Sequence, residues 1–404
     1  MENIRRLLPR ARVVRLFLFV GIVWSAIIGP GSTVLILRHV GATNTQVGAV
    51  VAVFAVVSMV FQPVWGMLSD KLESPRKVLS FCLMGSVVFF GSVFFTTTLH
   101  IIIVLLFFDV VFRCGIVGLL DSHTLSETRA MPGLQYGHIR LAGSVFFGSL
   151  SLVYSFIIDN NGVMAIVPIS VAIGIMACFY GFFIAKSKPD PGETKVKMAK
   201  GNLSKDIGKL FVNKRYLFLV LFIALSALAA QPLWMFLPTF VDTVGGSPSD
   251  VLLVQALRCV VEIPLFIFVG SFCKNVSSRK LMLAGASFMF VYIIMLFFTA
   301  SLPMLIAAHL IGGVPAFIFG LTGRLRLLNE STPDSVRSTS ITVMGTVELG
   351  LGAIIGNSVA GIILDNYSTR VLGAVSLVVF SVASAVLVFM SFSKWVREAK
   401  VVEK

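Results

Sequence analysis

Twelve long apolar segments make up most of this 404-residue chain. A helix needs about 20 mainly apolar residues to cross a hydrocarbon core about 30 Å thick, and each segment is close to that length or longer. Eight of the twelve contain no Asp, Glu, Lys, Arg or His. The pattern predicts an all-α membrane protein with twelve transmembrane helices at residues 16–37, 47–68, 78–99, 101–120, 141–158, 163–185, 216–241, 251–273, 281–300, 303–323, 338–364 and 371–392.

The composition fits this class and argues against several others. Hydrophobic residues make up 57% of the chain and charged residues 13%, against about 25% charged residues in soluble domains. The net charge of +14 does not indicate a nucleic-acid partner, because the basic residues mostly lie between the apolar segments. The five cysteines lack metal-ligand spacing, and the chain has no phosphate-binding G-x-x-x-x-G-K-[ST] loop. We therefore expect no metal, no cofactor and no enzymatic activity.

The distribution of positive charge predicts the orientation and the domains. If every segment crosses the membrane, 29 of the 33 Lys and Arg residues lie on one side, and only Arg38 and Arg370 lie on the other. The positive-inside rule then places both termini in the cytoplasm, with the protein in the plasma (inner) membrane. The predicted domains are an N-terminal six-helix bundle (1–185), a cytoplasmic basic linker loop (186–215) and a C-terminal six-helix bundle with a short cytoplasmic tail (216–404).

Two short stretches repeat with an offset of six segments. Residues 156–160 read FIIDN and residues 362–366 read IILDN, each at the end of a segment. Residues 74–77 read SPRK and residues 277–280 read SSRK, each after a segment. Such an offset predicts two pseudo-symmetric six-helix bundles, an architecture of secondary transporters whose substrate site lies between the bundles near the midplane.

The loop after the second segment carries a family signature. Residues 66–71 read GMLSDK and are followed by Arg76 and Lys77. This resembles the loop signature that follows the second helix in the major facilitator superfamily, and the resemblance implies twelve helices and alternating access. Gly66, Asp70 and Arg76 would then form a cytoplasmic latch, with Asp70 paired to Arg76 or to a neighbouring helix N-terminus. The alternative is ordinary flanking positive charge.

A narrower resemblance lies at the start of the fifth segment. Residues 136–144 read YGHIRLAGS, which is similar to the Y-G-x-x-R-x-x-G-S stretch of phenylpropionate-permease-like and oligosaccharide:proton symporter-like members. The Glu262-Ile263-Pro264 step also resembles that group. The resemblance implies a small organic solute moved together with protons. Arg140 is then either a gate or substrate contact, or an anchor at the membrane interface.

Two of the charged segments each hold an acid and a base spaced four residues apart: Asp109 with Arg113, and Arg258 with Glu262. This spacing places both members of a pair on one helix face. A charge at the bilayer centre costs roughly 2.5–3.5 kcal/mol, so these side chains need partners or a cavity. Both segments cross the membrane in the same direction. Asp109 and Arg258 lie at one depth and Arg113 and Glu262 at another, so each depth holds opposite charges. We hypothesise that the four residues line a central cavity and exchange partners; the alternative is that each pair only neutralises itself.

The other two charged segments hold His309 and Glu348. Glu348 has no opposite charge within one turn of its own helix. We predict that Glu348 and Glu262 carry the protons, because an acid in a low-dielectric site can take up and release a proton. His309 is either a titrating group of the same pathway or a hydrogen-bonded core residue. Candidate uncharged cavity contacts are Trp24, Gln62, Gln231, Trp234 and Asn357.

These observations together predict a secondary active transporter that works by alternating access, most simply as a proton-coupled symporter. The expected partners are a small organic solute (a sugar, a nucleoside or an aromatic carboxylate), protons and the lipid bilayer, and a monomer suffices. Proton-driven efflux of drugs or metabolites is an alternative within transport. An alternative of another class is a facilitator-fold receptor or assembly factor that does not transport.

Overall fold

The computed structural model describes residues 2–129, 131, 134, 136–182, 213–272, 275–319, 323–332 and 337–393. Within these residues the regular secondary structure is helical and no strand occurs, which confirms the all-α prediction. Most of the predicted basic linker and the predicted tail from residue 394 lie outside the described residues.

The first eight helices precede the linker. They are α1 (Glu2–Ala26), α2 (Ile28–Gly31), α3 (Thr33–His39), α4 (Asn44–Lys71), α5 (Pro75–Ser92), α6 (Leu99–Arg129), α7 (Tyr136–Asn161) and α8 (Ile166–Phe182), with short 3₁₀ turns at Val93–Phe95 and Val163–Ala165.

The remaining helices follow the linker. They are α9 (Lys214–Met235), α10 (Leu237–Thr243), α11 (Pro248–Phe272), α12 (Ser278–Phe297), α13 (Leu302–Phe317), α14 (Gly323–Ser331), α15 (Arg337–Val347), a π-helix (Glu348–Gly356), α16 (Asn357–Asn366) and α17 (Thr369–Phe392).

Prolines interrupt the first apolar segment on each side of the linker. α1 and α2 are separated at Ile27, three residues before Pro30, and α9 and α10 are separated at Phe236, two residues before Pro238. Proline has no backbone N–H and its ring clashes with the preceding turn, so a continuous helix is disfavoured at both places.

Ten helical stretches among the described residues are long and apolar enough to cross a membrane. A shorter apolar helix covers Leu302–Pro315, and α11 overlaps the predicted eighth segment. Large apolar side chains such as Phe95 and Phe156 are exposed, as expected for surfaces that face lipid. The count of twelve crossings stays a prediction.

The chain divides into two compact units that do not simply follow the sequence order. The first comprises Met1–Ala42, Val56–Glu193 and Gly246–Ile267, and the second comprises Thr43–Ala55, Thr194–Gly245 and Phe268–Lys404. The start of α4 therefore belongs to the second unit, and most of α11 belongs to the first. The predicted division at the linker stays a prediction.

In the first unit, α5 packs along α6 and α8, and α1 packs along α7 and α8. The contact surfaces meet in a buried apolar core that includes Leu16, Phe19, Leu79 and Leu120. In the second unit, α9 packs along α17 and along the π-helix, and α12 packs along α13 and α17. The glycines of the π-helix allow it to pack closely against α9.

Candidate functional site

A cavity of about 260 Å³ lies in the second unit. Most of its wall is apolar, with aromatic and methionine side chains from α9, from α12 and from Phe319, two residues after the end of α13. Its polar groups are a hydroxyl, an amide, a guanidinium and a carboxylate. The residues that matter for its chemistry are Phe222, Ser226, Gln231, Trp234, Met282, Met289, Phe319, Arg324 and Glu348.

The charged part of this cavity is an ion pair between two helical segments. Arg324 near the start of α14 donates from Nη1 to Oε2 of Glu348 at the start of the π-helix. The two side chains keep 20% and 32% of their surface exposed, so the pair is partly shielded but reachable from the cavity. Charge-assisted contacts of this kind are stronger than neutral hydrogen bonds.

The π-helix places Glu348 at the cavity wall. Its wider turns occur mostly in short pieces and are frequent at functional sites. Gly352 lies against α9 so closely that a Cβ there would be 2.8 Å from the side chains of Ala227 and Gln231. Because the π-helix can approach α9 only through glycine at this point, Glu348 one turn earlier is held at the same wall as Gln231.

An aromatic cluster supports Trp234 at the wall of the cavity. The ring of Trp234 stacks on Tyr292 with centroids 4.9 Å apart and an interplanar angle of 17°, and His309 meets both rings edge-on at 5.4 Å. His309 is 1% exposed, and its Nδ1 lies 3.0 Å from the carbonyl oxygen of Leu305. A carbonyl only accepts, so Nδ1 donates. His309 lies behind Trp234 and does not line the cavity.

The first unit holds the pair formed by Asp109 and Arg113. The Nε of Arg113 donates to Oδ2 of Asp109 at 2.8 Å, and Ser86 on α5 donates to Oδ1 at 2.5 Å. Asp109 is fully buried, whereas 24% of the Arg113 side chain is exposed. The carboxylate therefore has two donors fixed around it and no contact with water.

The second pair of the predicted quartet, Arg258 and Glu262, also belongs to the first unit. Arg258 Nε lies 3.3 Å from Oε1 of Glu262 on the same helix. Ser144 on α7 donates to the other carboxylate oxygen of Glu262 at 3.1 Å. In this structure both i,i+4 pairs are thus closed within their own helices, and the exchange of partners between them stays a prediction.

The YGHIRLAGS stretch lies on α7, and its residues contact two other helices. The guanidinium of Arg140 lies 4.0 Å from the ring centroid of Trp24, a cation–π contact. A Cβ at Gly143 would be 2.6 Å from Nη1 of Arg140 and 2.8 Å from the ring of Trp24. Glycine is therefore needed at this position for the guanidinium to lie over the indole, while the next residue, Ser144, holds Glu262.

Other predicted site residues lie away from these clusters. Arg76 donates to the carbonyl oxygen of Gly181 at 3.0 Å, and within the described part of the chain no ion pair joins Asp70 to Arg76. Gln62 is exposed, and the surroundings of Gly66 leave open space. Asn357 is fully buried at the start of α16 and does not line the cavity. Their predicted roles stay predictions.

Comparison with known proteins identifies the family. A model of the MFS_1 like family matches residues 16–375, which is most of the chain. The chain belongs to the MFS_1-like family. The resemblance to the major facilitator superfamily is thereby confirmed, and the MFS_1-like assignment makes this an integral membrane protein of a transporter family rather than an enzyme. The narrower resemblance stays a prediction.

Individual relatives of this MFS_1-like chain are also transporters. It is 27% identical over 352 residues to the uncharacterized transporter YwbF of Bacillus subtilis (strain 168), covering 85% of each protein. It is 23% identical over 401 residues to the maltose permease of Geobacillus stearothermophilus, covering 96% of each. A mutant of the nucleoside transporter NupG superposes with a TM-score of 0.78 at 13% identity, over 95% of this chain and 99% of that chain; this likeness shows the fold alone.

Arg324 is the residue of the MFS_1-like site that the sequence analysis missed. It directly follows the predicted tenth segment, which ends at residue 323, and so it counts there as a loop charge. Glu348 has no opposite charge within one turn of its own helix, but the fold supplies Arg324 from α14. A signal was present, because an arginine at the edge of an apolar segment can reach back toward the membrane with its long side chain.

Proposed function

We propose that this chain is a proton-coupled symporter of a small organic solute, with Glu348 as the proton carrier and Arg324 as its releasable partner. The observation that carries the proposal is the ion pair between two separate helical segments at the wall of a cavity. Membership of a transporter family supports it. A secondary transporter needs a group whose charge state changes during the cycle, and a carboxylate facing a cavity is such a group.

The pair can link a proton to a solute by simple competition. When Glu348 takes up a proton, the guanidinium of Arg324 is released and can bind an acceptor group of the solute. When the solute takes Arg324 first, the carboxylate loses its counter-charge and binds a proton more readily. Coupling of this kind is reciprocal, so each ligand favours the binding of the other.

The cavity supports a small solute with one apolar face and one polar edge. Its volume of about 260 Å³ lies just below the range of roughly 300–1,000 Å³ that drug-sized ligands occupy. Phe222, Trp234 and the two methionines offer an apolar face, and Gln231 with the ion pair offers the polar edge. Sugars, nucleosides and aromatic carboxylates share this character, and the names of the maltose permease and of NupG agree with it.

The proposed arrangement in the membrane follows from the charge distribution. Twelve helices in two six-helix bundles cross the plasma (inner) membrane, and both termini lie in the cytoplasm. A monomer suffices because the cavity and each charged cluster lie within one chain. Reporter fusions at residue 393 and in the loop at residues 244–247 test the orientation, since only the second site is expected to be exported.

Uptake by proteoliposomes tests the function. Purified protein is given an inward proton gradient and a panel of labelled sugars, nucleosides and aromatic carboxylates. We expect one class to accumulate only with the gradient. Glu348→Gln should abolish this accumulation but keep solute exchange, because exchange returns the loaded protein without releasing a proton. Glu262→Gln in the same assay separates the two predicted proton carriers.

A matched control is Glu330→Gln. Glu330 also pairs with an arginine, Arg215, at 3.1 Å, but its side chain is 48% exposed and lies outside the cavity. This variant should transport as the unmodified protein does. Uptake that is independent of pH, or equal loss in the Glu330 and Glu348 variants, would contradict proton coupling through Glu348. Accumulation of drug-like molecules that is driven by an outward proton gradient would favour efflux. Solute binding without flux would favour a receptor.

A further inference from the structure

The duplicated Asp-Asn step lies at the C-terminal ends of α7 and α16. In both copies the asparagine bonds within its own helix, one turn back: Asn160 donates to the carbonyl oxygen of Phe156 at 2.9 Å, and Asn366 donates to that of Ile362 at 2.9 Å. The aspartate in front of each asparagine bonds to a different helix. The two residues of the motif therefore have different roles, one local and one between helices.

Asp365 bonds to the start of α4. Its Oδ1 accepts from the backbone N–H and from the side-chain amide of Asn44, both at 2.9 Å, and its Oδ2 accepts from the backbone N–H of Thr45 at 2.7 Å. The next N–H of the helix is satisfied locally, because Thr43 and Gln46 form a reciprocal capping box. Asp365 thus supplies the acceptor that this positive helix end still lacks.

Asp159 makes the corresponding contact at the start of α11. Its Oδ1 accepts from Oγ of Ser249 at 2.5 Å. This helix end has its own acid as well, because Asp250 accepts from the backbone N–H of Ser247 at 2.7 Å. Among the described residues Asp159 therefore has one hydrogen bond to the helix end, whereas Asp365 has three to the start of α4.

Beneath each aspartate the helices touch through glycine. A Cβ at Gly361 would be 2.4 Å from the carbonyl oxygen of Asn44, and one at Gly48 would be 2.5 Å from that of Asn357. In the first unit, a Cβ at Gly148 would be 2.9 Å from the Cβ of Cys259 on α11. The carboxylate bonds and the glycine contacts therefore join the same pairs of helices, α16 with α4 and α7 with α11.

We propose that Asp159 and Asp365 are a matched pair of releasable latches, which hold the starts of α11 and α4 against α7 and α16 in one state of the transport cycle. The proposal rests on the alternating-access function proposed above. Both carboxylates are exposed, so water replaces the lost donors on opening and the latches remain reversible. Asp365 is the stronger latch because it accepts more hydrogen bonds, including two from backbone N–H groups.

Thiol labelling tests each latch separately. Val47 on α4 is fully buried and Cys259 on α11 is 3% exposed, so Val47→Cys and the native Cys259 serve as reporters in a background without the other cysteines. A membrane-impermeant maleimide is applied to proteoliposomes. Asp365→Ala should raise the labelling rate of Val47→Cys severalfold, and Asp159→Ala should raise that of Cys259 by less. Asp365→Asn, which keeps an acceptor but loses the charge, should lie between Asp365→Ala and the unmodified latch.

Asn366→Ala and Asn160→Ala are the matched controls, because they remove the neighbouring bond within the same helix. Both should leave the labelling rates unchanged. Equal increases of the labelling rate in the asparagine and aspartate variants would show that any change in the motif only frays the helix ends. This result would overturn the proposal. So would unchanged labelling in the aspartate variants at an unchanged melting temperature.

A cross-link tests whether the latch must open. Asn44→Cys combined with Asp365→Cys should form a disulfide that stops uptake, and a reductant should restore it. Full uptake by the cross-linked protein would overturn release as a step of the cycle. Labelling needs neither solute nor proton gradient, so a failure of proton coupling leaves the latch result readable, and the reverse also holds.

Discussion

Both units contain an acid paired with an arginine, but the two pairs are held differently. Asp109 and Arg113 lie on one helix, four residues apart, with the carboxylate fully buried and fixed by Ser86. Glu348 and Arg324 come from two helical segments and line a cavity, and both remain partly exposed. The spacing of the first pair is set by a single helix, whereas the spacing of the second depends on how two helical segments pack.

This difference indicates which pair can change partners. Separating Asp109 from Arg113 leaves a fully buried carboxylate without a counter-charge, and neither residue lines the cavity of about 260 Å³. Separating Glu348 from Arg324 opens both groups to a cavity. We therefore infer that the first pair stabilises the fold and that the second participates in transport.

The largest effect is expected for Arg113→Gln. Removing one partner of a buried pair costs about 3–5 kcal/mol, because the other charge stays buried and uncompensated. The apparent melting temperature in detergent should fall strongly. Asp109→Asn combined with Arg113→Gln should recover most of it, since a neutral pair needs no counter-charge. If the Arg113→Gln protein were as stable as the unmodified protein, the inference that this pair stabilises the fold would be wrong.

Arg324→Gln should lower transport and not stability. The solute loses a hydrogen bond to a charged group, which is worth about 1.5–3 kcal/mol; this corresponds to a decrease of about ten- to a hundredfold in solute affinity, and so in gradient-driven uptake at low solute concentration. The melting temperature should hardly change because the cavity hydrates Glu348. Arg215→Gln, at an exposed pair, should alter neither quantity. A large loss of stability in the Arg324 variant would make this pair structural as well.

Ser86→Ala should destabilise the pair of Asp109 and Arg113, because Ser86 donates to the carboxylate oxygen that Arg113 does not bind. The buried carboxylate of Asp109 loses one of its two donors, at a cost of about 1–3 kcal/mol. Thermal unfolding in detergent measures the loss. Ser92→Ala on the same helix removes a hydroxyl that bonds only to its own helix at Val88, and it should cost much less. Equal losses in the two serine variants would speak against a special role for Ser86.

Ser144→Ala is expected to have the smallest effect. Glu262 resembles Asp109 in pairing within its helix but resembles Glu348 in being partly exposed, at 18%. Because water can replace part of the lost donor at this partly exposed carboxylate, removing the Ser144 hydroxyl should cost about 0.5–1.5 kcal/mol, below the usual value for a hydrogen bond to a charged group. We expect small changes in both melting temperature and uptake. An uptake loss as large as that of Arg324→Gln would indicate that Glu262 participates in transport, as proposed for Glu348.

The parts of this site that depend on local spacing were predictable from sequence. The pairing of Asp109 with Arg113 follows from helix periodicity alone. The partner of Glu348 was not predictable in this way, because Arg324 is 24 residues away and lies on a different helix. The hydrogen bond from Ser144 to Glu262 is equally non-local.

The apolar segments predicted the helices because burial in lipid requires them, but segment boundaries hid details. The cut at residue 323 assigned Arg324 to a loop, and apolarity alone could not show that a π-helix begins at Glu348. The repeated Asp-Asn step predicted related ends for two helices. It could not predict that Asp365 caps a third helix, because that contact spans more than 300 residues.

The neutrality of the cavity pair has an electrical consequence. Under the proposed mechanism, an anionic solute bound to Arg324 together with one proton on Glu348 adds no net charge to the loaded carrier. A neutral sugar with the same proton adds one positive charge, which the membrane potential drives with about 2.3 kcal/mol per 100 mV. The voltage dependence of uptake therefore distinguishes a carboxylate from a sugar before the solute itself is known.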